Sequence, residues 1–203
     1  MKNVAIVIFT FFCFTGFSQN VDINLLKKIN GSYTTGGGKF MTFITDSDNP
    51  VTFSIPVGLF VVGAIKKDKD LRWKGYEHLA STAVGGIFTA SLKFAFNRPR
   101  PKKTYPNDIV QYTKAGSYSF PSGHTSQAFA TATSISLLYP KWYIIAPAYL
   151  WASGVGYSRM YLGVHYPSDV LAGAFLGSAS AIGTHYLFKF IRKKYDSKEP
   201  EKL

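Results

Sequence analysis

The stretch of sequence that decides the fold, residues 158–191, reads SRMYLGVHYPSDVLAGAFLGSASAIGTHYLFKFI. Its second part, 170–191, is apolar and rich in Ala, Leu, Phe and Gly, which predicts a helix. This segment is long enough to cross the hydrocarbon core of a bilayer, which takes roughly 20 helical residues. The first part carries Arg159, His165 and Asp169, and ionisable residues beside membrane helices are costly and usually functional. The stretch therefore predicts a helical membrane protein with a polar site where its helices end.

Apolar segments of the same kind occur elsewhere in the chain, at 51–65, 77–96, 125–139 and 142–157. Together with 170–191 they predict an all-α fold, a helical membrane bundle of about five transmembrane helices. Three of the segments are shorter than a typical span and cross a bilayer only if polar flanking residues extend them. A soluble bundle whose buried helices are equally apolar is the alternative that hydropathy leaves open.

The composition limits the class of protein. Of the 203 residues, 46% are hydrophobic and 17% charged, and Lys and Arg outnumber Asp and Glu by 23 to 11. That much apolar sequence excludes a disordered tail, and a single cysteine, Cys13, excludes a disulfide scaffold. The basic excess leaves nucleic-acid binders, membrane proteins and binders of anionic small molecules. The basic residues are dispersed between apolar segments, which argues against a nucleic-acid partner.

The first 18 residues have the pattern of a secretory signal peptide. Lys2 is followed by an apolar core and then by Gly16 and Ser18, small residues at the positions that precede a cleavage site. We expect cleavage before Gln19, and an anchor that stays attached is the alternative. The sequence thus predicts four parts: a signal peptide (1–18), a periplasmic N-terminal or interfacial segment (19–50), a membrane domain (51–191) and a basic cytoplasmic tail (192–203).

Two short patterns lie in the segment 19–50. Val21, Leu25 and Ile29 follow helical spacing, which predicts a short helix that lies on the membrane surface or packs on the protein. Gly36 to Gly38 predict a flexible turn, because the residues that follow do not complete a phosphate-binding Walker A loop.

The distribution of positive charge orients the bundle. If the mature N-terminus is outside, the basic loop 66–74 and the basic tail after residue 191 lie inside, as the positive-inside rule requires. The loop 97–121 is also basic, although this orientation places it outside. Its charge therefore needs an explanation other than topology.

Polar residues and one glycine collect where four of the segments meet the outer side. They are Lys93, Arg98, Arg100, Ser122, Gly123, His124, Arg159, His165 and Asp169. The cations have no matching group of acids, and Arg side chains bind phosphate oxygens in pairs. A phosphate ester carries about −1.5 to −2 charge near neutral pH. The N–H groups of a helix start, here at Ser122 and Gly123, also bind anions, so the cluster predicts a phosphate-binding site.

The two histidines of the cluster, His124 and His165, predict how such a site reacts. Asp169 lies four residues after His165, so at the start of a helix the two side chains face each other. A carboxylate on one imidazole nitrogen leaves the other nitrogen free to attack. His124 has no such partner nearby and suits a general acid. The sequence has no acidic cluster and no H-E-x-x-H pattern, so we expect no metal site and no cofactor.

The cluster resembles the three motifs of the type 2 phosphatidic acid phosphatase (PAP2) superfamily. The motif K-x6-R-P corresponds to 93–101, P-S-G-H to 121–124, and S-R-x5-H-x3-D to 158–169. All three are complete, in order and correctly spaced, and the likeness covers roughly residues 77–190. The resemblance implies a helical phosphatase core of the PAP2 and haloperoxidase type.

The resemblance also implies a role for each residue of the cluster. His165 would be the nucleophile, oriented by Asp169, and His124 would protonate the leaving group and then activate water. The phosphoryl oxygens would be held by Lys93, Arg100, Ser122, Gly123 and Arg159. Arg98 lies outside the strict motif and would support them.

We therefore expect an integral membrane phosphatase in the bacterial inner membrane, with its active site facing the periplasm. Its substrates would be lipid phosphate monoesters or polyprenyl diphosphates, cleaved without metal through a phosphohistidine intermediate. A soluble periplasmic acid phosphatase of the same superfamily is the alternative. A non-catalytic lipid-binding protein is a third hypothesis, which the intact histidines argue against. No nucleic-acid partner is expected, and the identity of the lipid and the oligomeric state stay open.

Overall fold

The computed structural model describes residues 20–196, and this part of the chain consists of helices and loops without a strand. Helix α1 covers residues 20–31. The helices that follow are α2 (Thr35–Asp46), α3 (Asp48–Ile65), α4 (Lys69–Phe96), α5 (Pro101–Thr104), α6 (Gly123–Leu138), α7 (Trp142–Tyr161) and α8 (Pro167–Asp196). The all-α prediction is confirmed. The predicted signal peptide lies outside the described residues, and the predicted tail begins as the last turns of α8.

Each predicted apolar segment forms a helix that is longer than the segment itself, because polar flanking residues join it. Helix α4 starts eight residues before its apolar part, at Lys69. Asp68 caps this start, since its carboxylate accepts hydrogen bonds from the N–H groups of Asp70 and Leu71. The helix ends at Asn97, which takes the left-handed conformation with φ 46°.

The predicted flexible turn at Gly36 to Gly38 is wrong, because these residues lie in the first turns of α2. The hydroxyl oxygen of Thr34 accepts a hydrogen bond from the Gly37 N–H and caps the helix. A Cβ at Gly38 would lie 2.2 Å from the hydroxyl oxygen of Tyr33. Gly37 and Gly38 therefore serve close packing of α2 rather than flexibility.

Helix α6 lies at the centre of the bundle and packs against α3, α4, α7 and α8. Its buried residues are small or hydroxylic: Thr125, Ser126, Ala128, Ala130, Thr131, Ala132, Thr133, Ser134 and Ser136. Helix α8 approaches it through glycines, since a Cβ at Gly177 would lie 2.1 Å from the carbonyl oxygen of Ser126. At Gly173 the corresponding distance, to the carbonyl oxygen of Ser122, is 2.6 Å. Such small-residue contacts between backbones are typical of membrane helices.

The outer surface of the bundle is apolar, whereas the interior around α6 contains small and hydroxylic side chains. Large apolar side chains that are more than half exposed include Phe53, Val61, Ile87, Phe94, Leu150, Leu171, Phe175 and Phe190. By length and composition, three helical stretches of the described chain can cross a membrane: Thr35–Ile65, Lys69–Thr104 and Pro167–Tyr195. An apolar surface of this extent fits a lipid environment. The number of spans, about five from the sequence, stays a prediction.

Helix α1 confirms the predicted helix near the N-terminus, but the helix packs on the protein through a different face. Val21 and Leu25 of the predicted apolar stripe are 67% and 44% exposed. Ile23 and Leu26 are buried instead, in a cluster with Ile109 and Tyr166. The buried polar residues of this helix, Asp22 and Asn30, lie on the same side. Helix α1 is therefore part of the folded core.

We predict that Gly177→Ala lowers the unfolding temperature, because the added methyl group enters the contact between α6 and α8. Overpacking of this kind typically costs about 1–3 kcal/mol. Gly183→Ala on the same helix is the matched control, since a Cβ there meets nothing within 4 Å. The control should be neutral or stabilising, because alanine favours a helix over glycine. Thermal unfolding in detergent compares the two variants, and equal melting temperatures would contradict the close contact.

Candidate active site

The residues singled out from the sequence lie at one end of the helical bundle. Their positions are the last turn of α4 (Lys93), the loop that follows (Arg98, Arg100), the start of α6 (Ser122, Gly123, His124), the last turn of α7 (Arg159), the loop before α8 (His165) and the first turn of α8 (Asp169). The Ser122 N–H donates to the Asp169 carbonyl oxygen at 3.0 Å, so the starts of α6 and α8 adjoin. The convergence that the sequence predicts is present in the structure.

The imidazole of His165 is buried, with different partners on its two nitrogens. Its Nδ1 lies 3.5 Å from the Oδ2 of Asp169, and its Nε2 lies 3.2 Å from the Nη1 of Arg100. A guanidinium only donates hydrogen bonds, so Nε2 must be the acceptor in this contact. The proton of the neutral ring is then on Nδ1, facing the carboxylate. This tautomer leaves a lone pair on Nε2, the nitrogen that faces the cations.

Burial keeps His165 neutral. It lowers the pKa of the imidazole from 6.5 to about 3, against the opposing effect of Asp169. The positive charges of Arg100 and Arg159 act in the same direction as burial. A neutral imidazole at physiological pH is the nucleophilic form.

The carboxylate of Asp169 is completely buried and held by donors from three directions. The Ser119 hydroxyl donates to its Oδ2 at 2.5 Å, and the Tyr166 N–H donates to the same oxygen at 2.9 Å. The Nη1 of Arg98 donates to its Oδ1 at 2.6 Å. These bonds fix the carboxylate in position, and through it the orientation of the His165 ring.

Two cations, Lys93 and Arg100, are held at the site by neutral acceptors. The Nζ of Lys93 donates to the Tyr118 carbonyl oxygen at 2.7 Å. Arg100 donates from Nε to the Ser117 carbonyl oxygen and from Nη1 to the Val164 carbonyl oxygen, both at 2.8 Å. Within residues 20–196, neither side chain has a carboxylate within salt-bridge distance. Carbonyl oxygens orient these side chains without neutralising them, so their charge remains available to an anion.

Arg159 is almost fully buried, and one of its donors is unused. Its Nη1 donates to the Thr45 hydroxyl at 2.7 Å, whereas its buried Nε has no hydrogen-bond partner in the described part of the chain. A buried donor without a partner costs free energy. An anionic ligand at the site would supply the missing acceptor.

The start of α6 adds backbone donors to the cations. Ser122 is the N-cap of this helix, but its side chain makes no capping hydrogen bond, so it does not occupy the N–H groups of the first turn. A Cβ at Gly123 would only touch the Cε of Lys93 and a methyl of Thr89, each at 3.9 Å. His124 makes no side-chain hydrogen bond with residues 20–196, and burial, together with the charges of Arg159, Arg100 and Lys93, lowers the pKa of its ring to about 4. A helix start beside three cations is an anion-binding arrangement.

Arg98 has partners different from those of the other cations. Besides Asp169, it contacts Asp22 of α1, to which its Nη2 donates at 2.7 Å. Its guanidinium carbon lies 3.9 Å from the centre of the Tyr166 ring. The charge of Arg98 is therefore shared between two carboxylates behind His165, whereas the sequence predicted a supporting role in binding phosphate.

Sequence reasoning missed Ser119, Asp22 and Thr45, which hold the predicted residues in place. Ser119 lies just before the P-S-G-H motif, and this proximity is a signal that could have identified it. Asp22 is 76 residues from Arg98 in the chain, and no local pattern links the two.

The space beside the cluster suits an anion. A cavity of about 480 Å³ adjoins the site, and it is lined by the cations Arg98, Arg100, Lys102 and Lys103 and by no described carboxylate. Within residues 20–196, no group of three His, Cys, Asp or Glu side chains is placed to hold a metal ion. The arrangement offers a nucleophilic nitrogen, a free imidazole and a concentration of positive charge.

Known proteins are similar to this chain in sequence and in fold. A lipid A 4'-phosphatase from Bacteroides thetaiotaomicron is 27% identical over 189 residues, which cover 88% of this chain and 80% of that protein. An undecaprenyl-diphosphatase from Sulfolobus acidocaldarius is 29% identical over 171 residues, covering 80% and 77%. The crystal structure of a transmembrane PAP2-type phosphatidylglycerolphosphate phosphatase from Bacillus subtilis superposes with a TM-score of 0.67 at 26% identity, covering 98% of each chain.

The pattern that defines the PAP2 superfamily matches residues 75–193, more than half of the chain. This range contains every residue of the cluster that the sequence predicts. The chain therefore belongs to the PAP2 superfamily.

Proposed function

We propose that this protein is an integral membrane phosphatase that hydrolyses lipid phosphate monoesters or polyprenyl diphosphates through a phosphohistidine. The observation that carries the proposal is the environment of His165. Its Nδ1 faces the buried carboxylate of Asp169, and its Nε2 faces the guanidinium of Arg100. The relatives named as a lipid A phosphatase and an undecaprenyl-diphosphatase support this choice of substrates.

In the first step, the lone pair of His165 Nε2 attacks phosphorus. The bond from phosphorus to the leaving oxygen breaks, and His124, which is protonated when the anionic substrate is bound, gives that oxygen a proton. In the structure, the Nη1 of Arg100 lies 3.2 Å from Nε2. When the substrate binds, this guanidinium must therefore turn from the nitrogen to a phosphoryl oxygen. The phosphorylated ring is positively charged, and Asp169 stabilises it across Nδ1.

In the second step, water replaces the histidine on phosphorus. His124, now neutral, takes a proton from the water, whose oxygen bonds to phosphorus as the bond to Nε2 breaks. Inorganic phosphate leaves, and His165 returns to its neutral form. In both steps Lys93, Arg100 and Arg159 balance the charge on the phosphoryl oxygens, which is usually the largest contribution to catalysis.

Several features favour a lipid over a water-soluble ester. The site lies at the end of a bundle whose outer surface carries large exposed apolar side chains, and three helical stretches are apolar enough to cross a membrane. A phosphate headgroup at the membrane surface can reach such a site while its tails stay in the bilayer. The soluble acid phosphatase is therefore not favoured.

We propose the bacterial inner membrane as the location, with the active site facing the periplasm. The predicted signal peptide and the inside placement of the basic loop 66–74 support this orientation. The basic loop 97–121, which the charge rule does not explain, carries Arg98 and Arg100 of the site. Its charge is then needed by the site, where Arg98 binds Asp169 and Arg100 contacts His165.

The purified protein in detergent, without added metal, should release phosphate from at least one lipid substrate, and His165→Ala should lose this activity because it lacks the nucleophile. The panel contains phosphatidic acid, phosphatidylglycerol phosphate, a polyprenyl diphosphate, a lipid A phosphate and one water-soluble ester. EDTA should leave the rate unchanged. Near-normal turnover by His165→Ala, with its folding checked by thermal unfolding, would refute the proposed nucleophile, and a preference for the soluble ester would refute the lipid substrate.

Single cysteines test the orientation in a Cys13→Ser background. Lys114→Cys lies in the exposed part of the loop 97–121 on the site side, and Lys66→Cys lies at the exposed end of α3. A membrane-impermeant maleimide should label Lys114→Cys in spheroplasts and Lys66→Cys only after lysis. The reverse pattern would place the active site in the cytoplasm.

A further inference from the structure

Helix α1 lies outside the residues that match the superfamily, 75–193, yet it carries a buried acid that reaches the active site. We propose that Asp22 is a positioning residue of the catalytic centre, acting on His165 through Arg98 and Asp169. The inference rests on the proposed phosphatase activity and adds a component from outside the motifs.

The carboxylate of Asp22 is 5% exposed, and all its contacts lead toward the site. Its Oδ2 accepts hydrogen bonds from the Nη2 of Arg98 at 2.7 Å and from the Ser168 hydroxyl at 2.5 Å. Its Oδ1 accepts from the Ser168 N–H at 2.8 Å. Ser168 immediately precedes Asp169, so Asp22 holds the helix start that carries the carboxylate facing His165.

Arg98 connects Asp22 with Asp169. One nitrogen of its guanidinium, Nη2, contacts Asp22, and the other, Nη1, contacts Asp169 at 2.6 Å and the Ser168 hydroxyl at 2.7 Å. The planar guanidinium has its donors in a fixed arrangement, so the position of one carboxylate sets that of the other. The contacts thus run from Asp22 through Arg98 and Asp169 to the Nδ1 of His165.

The formal charges explain why a second carboxylate is needed. Arg98 alone would neutralise Asp169, and a neutral pair stabilises a positively charged imidazole poorly. With Asp22 included, the group of three carries a net charge of −1 next to His165. The ring becomes positive when Nε2 bonds to phosphorus, so this charge stabilises the transition state more than the resting enzyme.

Other contacts also attach α1 to the protein, and they allow anchoring of the helix to be tested separately from positioning of the site. Asn30 is buried at the other end of α1, and its Nδ2 donates to the carbonyl oxygens of Val110 and Tyr161 at 3.0 Å. Its Oδ1 accepts from the Val110 N–H at 2.9 Å. None of these atoms contacts Arg98 or Asp169. Asn30→Ala is therefore a control that loosens α1 and leaves the charged group intact.

The experiment measures kcat and KM of the full-length protein in detergent on its best lipid substrate. We expect Asp22→Asn to lower kcat on the order of 10- to 100-fold, which is the typical effect of removing an outer hydrogen-bond partner of a functional histidine. Its KM should stay within about two-fold, because Asp22 does not face the phosphate. Asn30→Ala should lower the melting temperature and keep kcat within about three-fold. In an Arg98→Gln background, Asp22→Asn should lower kcat by a smaller factor than in the wild-type protein, since residues that act through one another are not additive.

Three results would overturn the inference: wild-type kcat in Asp22→Asn, equal losses in Asp22→Asn and Asn30→Ala, or losses that multiply in the double variant. If Asp22→Asn does not fold, Asp22→Ser decides, because it removes the carboxylate but keeps a polar side chain beside Arg98 and Ser168. A fall in kcat at unchanged KM supports the inference, and a wild-type kcat refutes it. Wild-type protein and His165→Ala in the same assay distinguish a failure of this inference from a failure of the proposed function. An inactive wild-type protein refutes the proposed function itself, whereas an active wild-type protein with an equally active Asp22→Asn refutes only the role of Asp22.

Discussion

The close approach of α6 and α8 is the constraint on which the site depends. Glycines at 173 and 177 let the backbones come so near that an added Cβ would overlap carbonyl oxygens of α6. At the site end of this contact, the Ser122 N–H donates to the Asp169 carbonyl oxygen. The start of α6, whose N–H groups can bind an anion, is thereby held against the start of α8, which carries Asp169. Nucleophile and anion-binding backbone are positioned by one helix contact.

Around this contact, the charges are divided into two groups with different tasks. Lys93 and Arg100 are oriented by carbonyl oxygens, which leave their positive charge available to the phosphoryl group of the proposed substrate. Arg98 is bound by Asp22 and Asp169 and belongs to a group that is negative as a whole. His165 lies between the two groups. The cations stabilise negative phosphoryl oxygens on one side of the ring, and the carboxylates stabilise a positive charge on the ring from its other side. The proposed transfer requires both effects.

Much of this arrangement was predictable, because apolar segments and motif spacing are local properties of a chain. The segments predicted the long helices, and the motifs at their ends predicted which residues converge. One prediction in the N-terminal part was wrong, and for the same reason the face through which α1 packs on the protein was not predicted. The glycines 36–38 take part in a helix because Thr34 caps it and Tyr33 packs against it, and α1 packs through Ile23 and Leu26 rather than through Val21 and Leu25. Both outcomes depend on tertiary contacts, as does the pairing of Asp22 with Arg98 across 76 residues.

The central claim is that His165 Nε2 receives the phosphoryl group, and trapping that intermediate tests it most directly. The His124→Ala variant is mixed with an aryl phosphate, whose leaving group needs no proton, and quenched in base. Without His124 to activate water, the phosphorylated enzyme should accumulate, and peptide mapping should place an acid-labile, base-stable phosphate on His165. The same treatment of a His124→Ala, His165→Ala double variant should leave no label. A phosphate found on another residue, or turnover of the aryl phosphate with no labelled enzyme at any time, would contradict the account.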